Sequence, residues 1–494
     1  MNFRTRLSMH RTALLITLAF VASGIASAAE KLSVVRVNVT TQSWDFHRPW
    51  GKRQPFTRRA IGAVLPGNRV LVTADLVANL TYLELENPEG GRKVPATLEA
   101  VDYEANLALL KTAADDDLLT GAPGLQITES RIGDQLSVWQ LENNGRLLVT
   151  TGPMTTAEMA AYPVDGGFLI YRATMQIQGR DNSFTLPVVK GGKLTGILMS
   201  YDAQSTNANI IPAPVIQHFL KDVASGHYAG FPRISYAFSP TRDPALRRYA
   251  KIPDDVTGGV YITEVLKDGP AAKASLQKGD VLLRVDDFAV DQDGNFDDPT
   301  YGKIPVAHLF NVHHFVGDKV NLQILRAGER KSLNASLAHR APSSYVSDPY
   351  IIDRRPRFVI VGGLILQELS RQYLKDFGND WARRAPERLI YWDRFQNELF
   401  ADGPRKLVFL SRVLPTSATV GYEELNHLLV TKINGIAIQS LDDVPKALEK
   451  PVDGFHKIEF EEDPKTIYLD AAEIQKTERQ VQMQYRLPSL KFLE

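Results

Sequence analysis

The chain has 494 residues, 44% of them hydrophobic and 23% charged, proportions that suit soluble globular protein divided into about three domains. Lys+Arg and Asp+Glu balance at 57 each, so no net field draws the chain to nucleic acid or anionic lipid. There is no cysteine, which excludes disulfides, thiolate metal sites and cysteine nucleophiles.

Arg4, Arg6 and Arg11 precede the apolar run ALLITLAFVASGIASAA, which ends in Ala26-Ser27-Ala28. Charge, apolar run and small-residue end in that order read as a secretory signal peptide over residues 1–28. The rival is an uncleaved anchor, since the run approaches the lower limit for spanning a bilayer; the small-residue end favours cleavage. The expectation is an exported, periplasmic chain without stable membrane insertion after signal cleavage. Next come Trp44, Phe46, Trp50 and Phe56, which read either as interface anchors of a homo-oligomer or as packing on their own domain. The basic pairs Lys52-Arg53 and Arg58-Arg59 read as solvated loop, not as a nucleic-acid patch.

From residue 30 to 228 the pattern is short strands. VVRVNV, AIGAVL, RVLVT, YLELE, ALLKT, QLSVWQL, RLLVTTG, FLIYRATMQIQ, FTLPVV and LTGILMS alternate or run apolar between Gly, Asn, Asp and Pro turns. Such spacing predicts a mainly β domain, a sandwich or barrel, closed by a helix in PAPVIQHFLKDVASG. Two later segments share one plan. ITEVLKDGPAAKA and DVLLRVDDFAV in the first correspond to LSRVLPTSATVGY and HLLVTKINGIAI in the second. Each is strand, small-residue turn, short helix, strand, turn, helix and strands, too long for a solenoid unit. The boundaries fall at 229–340 for the first copy, 341–357 for a polar, Pro- and Ser-rich linker, and 358–490 for the second copy.

In the first copy, Asp291, Asp293, Asn295 and Asp297 alternate as calcium ligands do. Phe296 and Gly302 stand where such a loop needs glycine and glutamate, so a solvated insertion is expected. His313 and His314 are adjacent on a predicted helix and face apart, so no metal pair is expected there. Neither a metal nor a cofactor follows from the sequence.

The runs GGVYI, KGDVLLRVDD and LLVTKINGIAI resemble PDZ domains. With the β-rich domain in front, residues 33–475 resemble the HtrA/Deg serine protease family, most of all its plant branch, through DFHRPWGKRQPF, VIQHFLKD and FVIVGGLIL. The resemblance implies a trypsin-like double β-barrel followed by two α+β PDZ domains. It also implies a Ser-His-Asp triad, and here the triad is degenerate. Val72-Thr73-Ala74-Asp75-Leu76-Val77 stands where the family has its histidine run, with Asp75 in the histidine's place. Asn106 opens the NLALLK run in the aspartate's place. Asp181-Asn182-Ser183-Phe184-Thr185 stands at the G-N-S-G-G loop, keeping the serine but not the glycines.

A serine hydroxyl needs a base, and a carboxylate with a reference pKa of ~3.9 is a far weaker one than imidazole. Asp181 would also restrict the oxyanion turn and place negative charge where negative charge must develop. Ser183 therefore reads as an ordinary loop serine. PDZ domains add an extended peptide as a strand and cap its carboxylate with backbone N–H groups. The resemblance places those loops at Ile234-Ser235-Tyr236, with a groove helix at about 306–316, and at Val361-Gly362-Gly363-Leu364, with internal docking as the rival in either groove, above all in the second copy. The implied partners are C-terminal or unfolded peptide segments of other proteins, bound by a homo-oligomeric pseudoprotease that acts as scaffold, adaptor or chaperone. The rivals are an active serine endopeptidase and a regulatory subunit of active relatives.

Overall fold

Period-two apolar patterning closes two successive barrels. The computed structural model describes residues 31–178, 185–402 and 405–494. Around the first barrel run Val34–Thr41, Phe56–Leu65, Arg69–Val72, Leu107–Thr112, Lys93–Asp102 and Leu80–Glu86. Around the second run Leu186–Lys190, Lys193–Asp202, Asn207–Pro212, Gly167–Thr174, Leu147–Ala161 and Gln135–Leu141. Closure leaves neither sheet an open edge. Residues 60–65 are buried without alternation because they run between the barrels, where the Ile61 N–H donates to the Thr185 carbonyl at 3.2 Å. The helix Ala213–Ala224 then buries Val215, Ile216 and Phe219.

The first repeat is a sheet in the order Tyr236–Pro240, Val260–Val265, Val281–Val285, Lys319–Arg326 and Glu329–Ser336. Its apolar core is continuous with that of the second barrel. The join is the acidic stretch 291–302, expected to be a solvated insertion. It folds instead into a hairpin, Asn295–Asp298 with Gly302–Pro305, that buries Phe296, Tyr301 and Ile304. The Tyr301 hydroxyl lies 2.7 Å from that of Tyr171 in the second barrel. The groove helix is also shorter than the pattern suggests, Ala307–Asn311.

The second repeat orders its strands Thr466–Asp470, Phe455–Phe460, Leu428–Ile433, Val408–Val413, Leu364–Glu368, Phe358–Val361 and Lys491–Phe492. Two additions depart from the shared plan. One is a set of short helices within 371–399, of four to eight residues each, too short to show helical periodicity. The other is the helix Ala471–Tyr485, capped by the Asp470 carboxylate on the Ala472 and Glu473 N–H groups.

The N-terminal arm packs on this second repeat. Phe46 is buried among Tyr373, Leu374 and Trp392, and Trp44 packs against the same cluster. The Gln367 amide donates to the Phe46 carbonyl at 3.1 Å, and the Phe46 N–H donates to Asp376 at 3.0 Å. Trp50 meets Phe358 edge-on at 6.3 Å. These three aromatics therefore pack on the second repeat and not on their own barrel, and of the four only Phe56 is exposed. Nor are the basic pairs a free loop: Arg53 pairs with Asp376 at 2.8 Å, and Arg58 and Arg59 lie in a barrel strand. The polar stretch 341–357 is packed as well. Ser347 is buried with its hydroxyl on Asp393 at 2.8 Å, and Asp348 pairs with Arg354 at 2.7 Å. Among the described residues no helix is long and apolar enough to cross a membrane.

Truncating Phe46 to alanine removes the arm's buried anchor and should cost about 3–5 kcal/mol, read as a lowered urea midpoint in tryptophan fluorescence. His427, 3.1 Å from the Tyr373 hydroxyl, is held neutral in the fold. Burial first, then the charges of His47 and Arg412, bring its pKa from 6.5 to about 4. The unfolded chain takes up that proton near 6.5, so stability should fall as pH drops from about 6.5 toward about 4 and hold above that window. His427→Asn tolerates the same left-handed backbone and should flatten this acid limb in thermal unfolding at a series of pH values.

Candidate functional site

Strand Arg69–Val72 leads into one helical turn, Ala74–Val77, whose first-turn acid is Asp75. Asn106 stands in the turn before strand Leu107–Thr112, 2% exposed and left-handed at φ 54°, a conformation asparagine tolerates. Its side-chain carbonyl accepts the Asp75 N–H at 2.8 Å. Asp75 is half-exposed, and its carboxylate lies 3.3 Å from the Arg58 guanidinium, which also donates to the Asp75 carbonyl. The fold thus brings positions 75 and 106 within one hydrogen bond of each other. Ser183, with Asp181 and Asn182, lies outside the described residues.

The support beneath this pair is polar and buried. Asp102 accepts the Ala105 N–H at 2.7 Å and the Tyr228 hydroxyl, and its burial raises its pKa above the ordinary carboxylate value. Asn106 Nδ2 is buried without a partner among the described residues. Neither side chain can act as imidazole does: an amide does not take up a proton at working pH, and the carboxylate is matched to a cation. The barrel-region histidines are engaged elsewhere. His47 packs on Tyr373 and Phe377, His218 is stacked between Phe231 and Phe315, and His227 is exposed on the loop after the barrel helix.

The two grooves differ in their strand edges. In the first repeat Tyr236–Pro240 ends its sheet, paired only with Val260–Val265 among the described strands. Tyr236 meets Phe310 of the groove helix edge-on at 6.2 Å. Ile234 is buried, and Ser235 holds φ 64° where glycine is usual. A cavity of about 230 Å³ opens beside Ser235 and Tyr236. Its wall includes Arg340, whose guanidinium lies 3.5 Å over the Tyr345 ring and 3.2 Å from the Asn397 side chain. No motif marks Arg340, which the 341–357 packing brings to the loop.

In the second repeat the equivalent strand, Leu364–Glu368, has both edges filled. Val408–Val413 pairs with one and Phe358–Val361 with the other. Val361-Gly362-Gly363-Leu364 is therefore not an open carboxylate loop but the turn of that internal hairpin, with Val361 opposite Leu364. Gly363, at φ 121°, has no room for a side chain: a Cβ there would sit 2.5 Å from the Leu414 carbonyl. Phe358–Val361 is covered in turn by Lys491–Phe492. The rival reading, internal docking, describes this groove.

Models of the PDZ domain match residues 238–337 and 348–491. Protease Do-like 2, chloroplastic, of Arabidopsis thaliana is 27% identical over 437 residues, covering 87% of this chain and 70% of that protein. Protease Do-like 4, mitochondrial, of the same plant is 24% identical, covering 92% and 84%. This chain is a homologue of the Deg/HtrA proteases and carries two PDZ domains. Among solved structures, the HtrA-type protease AlgW with decapeptide is 17% identical and covers 63% of this chain and 97% of its own, at a TM-score of 0.46. The fold itself is mainly β, two closed barrels followed by two PDZ domains. In this Deg/HtrA homologue the turn at Asn106 fastens the main-chain N–H of Asp75.

Asn106→Ala should lose that hydrogen bond and strain the left-handed turn, costing about 2–3 kcal/mol, whereas Asn106→Gly should cost about 1–2 kcal/mol less. Urea unfolding of the two variants measures the difference, and equal losses would contradict the backbone account.

Proposed function

We propose that this chain is a proteolytically inactive, exported HtrA/Deg-like protein of the periplasm. It acts as a peptide-binding scaffold, adaptor or chaperone through the groove of its first PDZ domain. The observation that carries this reading is Asp75 hydrogen-bonded to Asn106 and paired with Arg58, where a working triad needs imidazole and carboxylate. Removing the base from such a triad costs roughly a millionfold in rate, about as much as removing the nucleophile. That is on the order of 8 kcal/mol of barrier. Asp181, in the run that resembles the family's G-N-S-G-G loop, puts a carboxylate where that loop has glycine, a second departure from a working protease.

Peptide binding by strand addition needs an unpaired edge and a donor-rich loop at its end. The edge of Tyr236–Pro240, with Arg340 near its loop, supports that role; the filled second groove does not. Export rests on the order of charge, apolar run and small residues within 1–28. Homo-oligomer formation belongs to the same reading, through a surface other than Trp44, Phe46 and Trp50, which are packed within the chain.

The test is a serine-directed fluorophosphonate probe together with unfolded casein. The expected outcome is neither labelling nor cleavage. Labelling or cleavage that disappears in Ser183→Ala would overturn the reading in favour of an active serine endopeptidase.

A further inference from the structure

We propose that Asp298, His308 and His313 form a binding site for a zinc-class divalent cation, between the barrel-facing hairpin and the groove helix of the first PDZ domain. One ligand atom from each residue lies within 4.8 Å of the other two. They come from separate pieces of chain: the hairpin strand, the helix Ala307–Asn311 and the turn that follows it.

Each ligand is prepared by its surroundings. Asp298 is 7% exposed, and its Oδ1 accepts the Thr300 and Tyr301 N–H groups at 2.8 and 2.9 Å. That fixes the carboxyl group and leaves Oδ2 directed at His313, 3.8 Å from Nε2. Such an outer hydrogen-bonding shell is what holds metal ligands in place. His308 is 1% exposed, and its Nδ1 has no hydrogen-bond partner among the described residues. A buried polar nitrogen left unpaired is unfavourable, and ligation would offset that. The imidazoles of His308 and His313 are 4.9 Å apart, and Phe296 lies nearly parallel to the first and edge-on to the second. His314 takes no part, since it turns to the Leu309 carbonyl at 2.8 Å and Asp286 at 3.3 Å.

The donor set selects the ion. Two imidazoles and one carboxylate favour zinc, nickel or copper over calcium, which takes six or more oxygens. Ligands of one tetrahedral zinc stand about 3.3 Å apart, so the three groups must draw in by about 1 Å. His313 can supply that movement, because it is exposed and follows the helix instead of lying within it. Three protein ligands leave a fourth position open to water or another donor. Ligation would join the groove helix, through His308, to a hairpin already seated on the second barrel through Tyr301 and Tyr171. The peptide groove and the barrel would then move as one piece.

The experiment titrates ZnCl₂ into the full chain by calorimetry and follows thermal unfolding with and without zinc. One ion per chain is expected, with a dissociation constant below about 100 µM and a raised unfolding midpoint. His313→Ala removes an exposed ligand, and Asp298→Asn keeps the backbone acceptor while losing the charge. Each should weaken binding by about tenfold or more and abolish the midpoint shift. Absence of binding at about 100 µM, or less than about a tenfold loss in both variants, overturns the site.

Discussion

The half-buried guanidinium of Arg233, set against the buried Glu104, is the point on which the arrangement of the molecule depends. It donates to Glu104 of the first barrel at 2.7 Å and to Asp165 of the second at 2.9 Å, and it immediately precedes Ile234-Ser235-Tyr236 at the start of the first PDZ domain. Glu104 also lies 3.4 Å from His339, and Asp165 accepts from the Tyr345 hydroxyl at 3.1 Å and from Arg371 at 3.4 Å. Burying such a charge is unfavourable unless its partners are all in place, and deleting one leaves the others uncompensated. The cluster therefore acts less as a source of stability than as a positional constraint on both barrels and both PDZ domains. Gly166 shows how tight it is: a Cβ there would lie 2.5 Å from the Arg233 guanidinium.

From that constraint the fates of the two grooves follow. The first PDZ domain is seated by Arg233 on one side and by its hairpin on the other, with its outer strand left as a sheet edge. The second is tied to the second barrel through Arg371 on Asp165, receives the N-terminal arm, and fills its own groove with Phe358–Val361. One copy of the fold is turned outward and the other inward. Exposed strand edges invite unwanted pairing, so the doubly covered edge of the second copy is also a protection against aggregation.

Much of this was legible in the chain itself. The strands of both barrels show in their alternation, and the two PDZ copies in their ordered turns and small residues. Positions 75 and 106 could be singled out because each lies in a short local run, VTADLV and NLALLK, that resembles a family motif. What stayed hidden was pairing between distant segments. FVIVGGLIL reads equally well as a carboxylate loop or as a hairpin, although Gly-Gly between apolar runs is a hairpin signal in its own right. The arm aromatics announce a buried contact but not its partner. Arg58 looks like surface charge until the barrel places it beside Asp75. Asp298, His308 and His313 share no recognisable spacing, since a hairpin and a helix bring them together.

In the proposed function the chain holds peptides at its first PDZ groove and does not cut them. The most direct measurement incubates the full chain with a C-terminal peptide carrying a photoreactive residue, then locates the cross-links and weighs the peptide by mass spectrometry. The expected result is an intact peptide attached to residues of Tyr236–Pro240 and Ala307–Asn311. A shortened peptide, or cross-links confined to Phe358–Glu368 of the second domain, would contradict it.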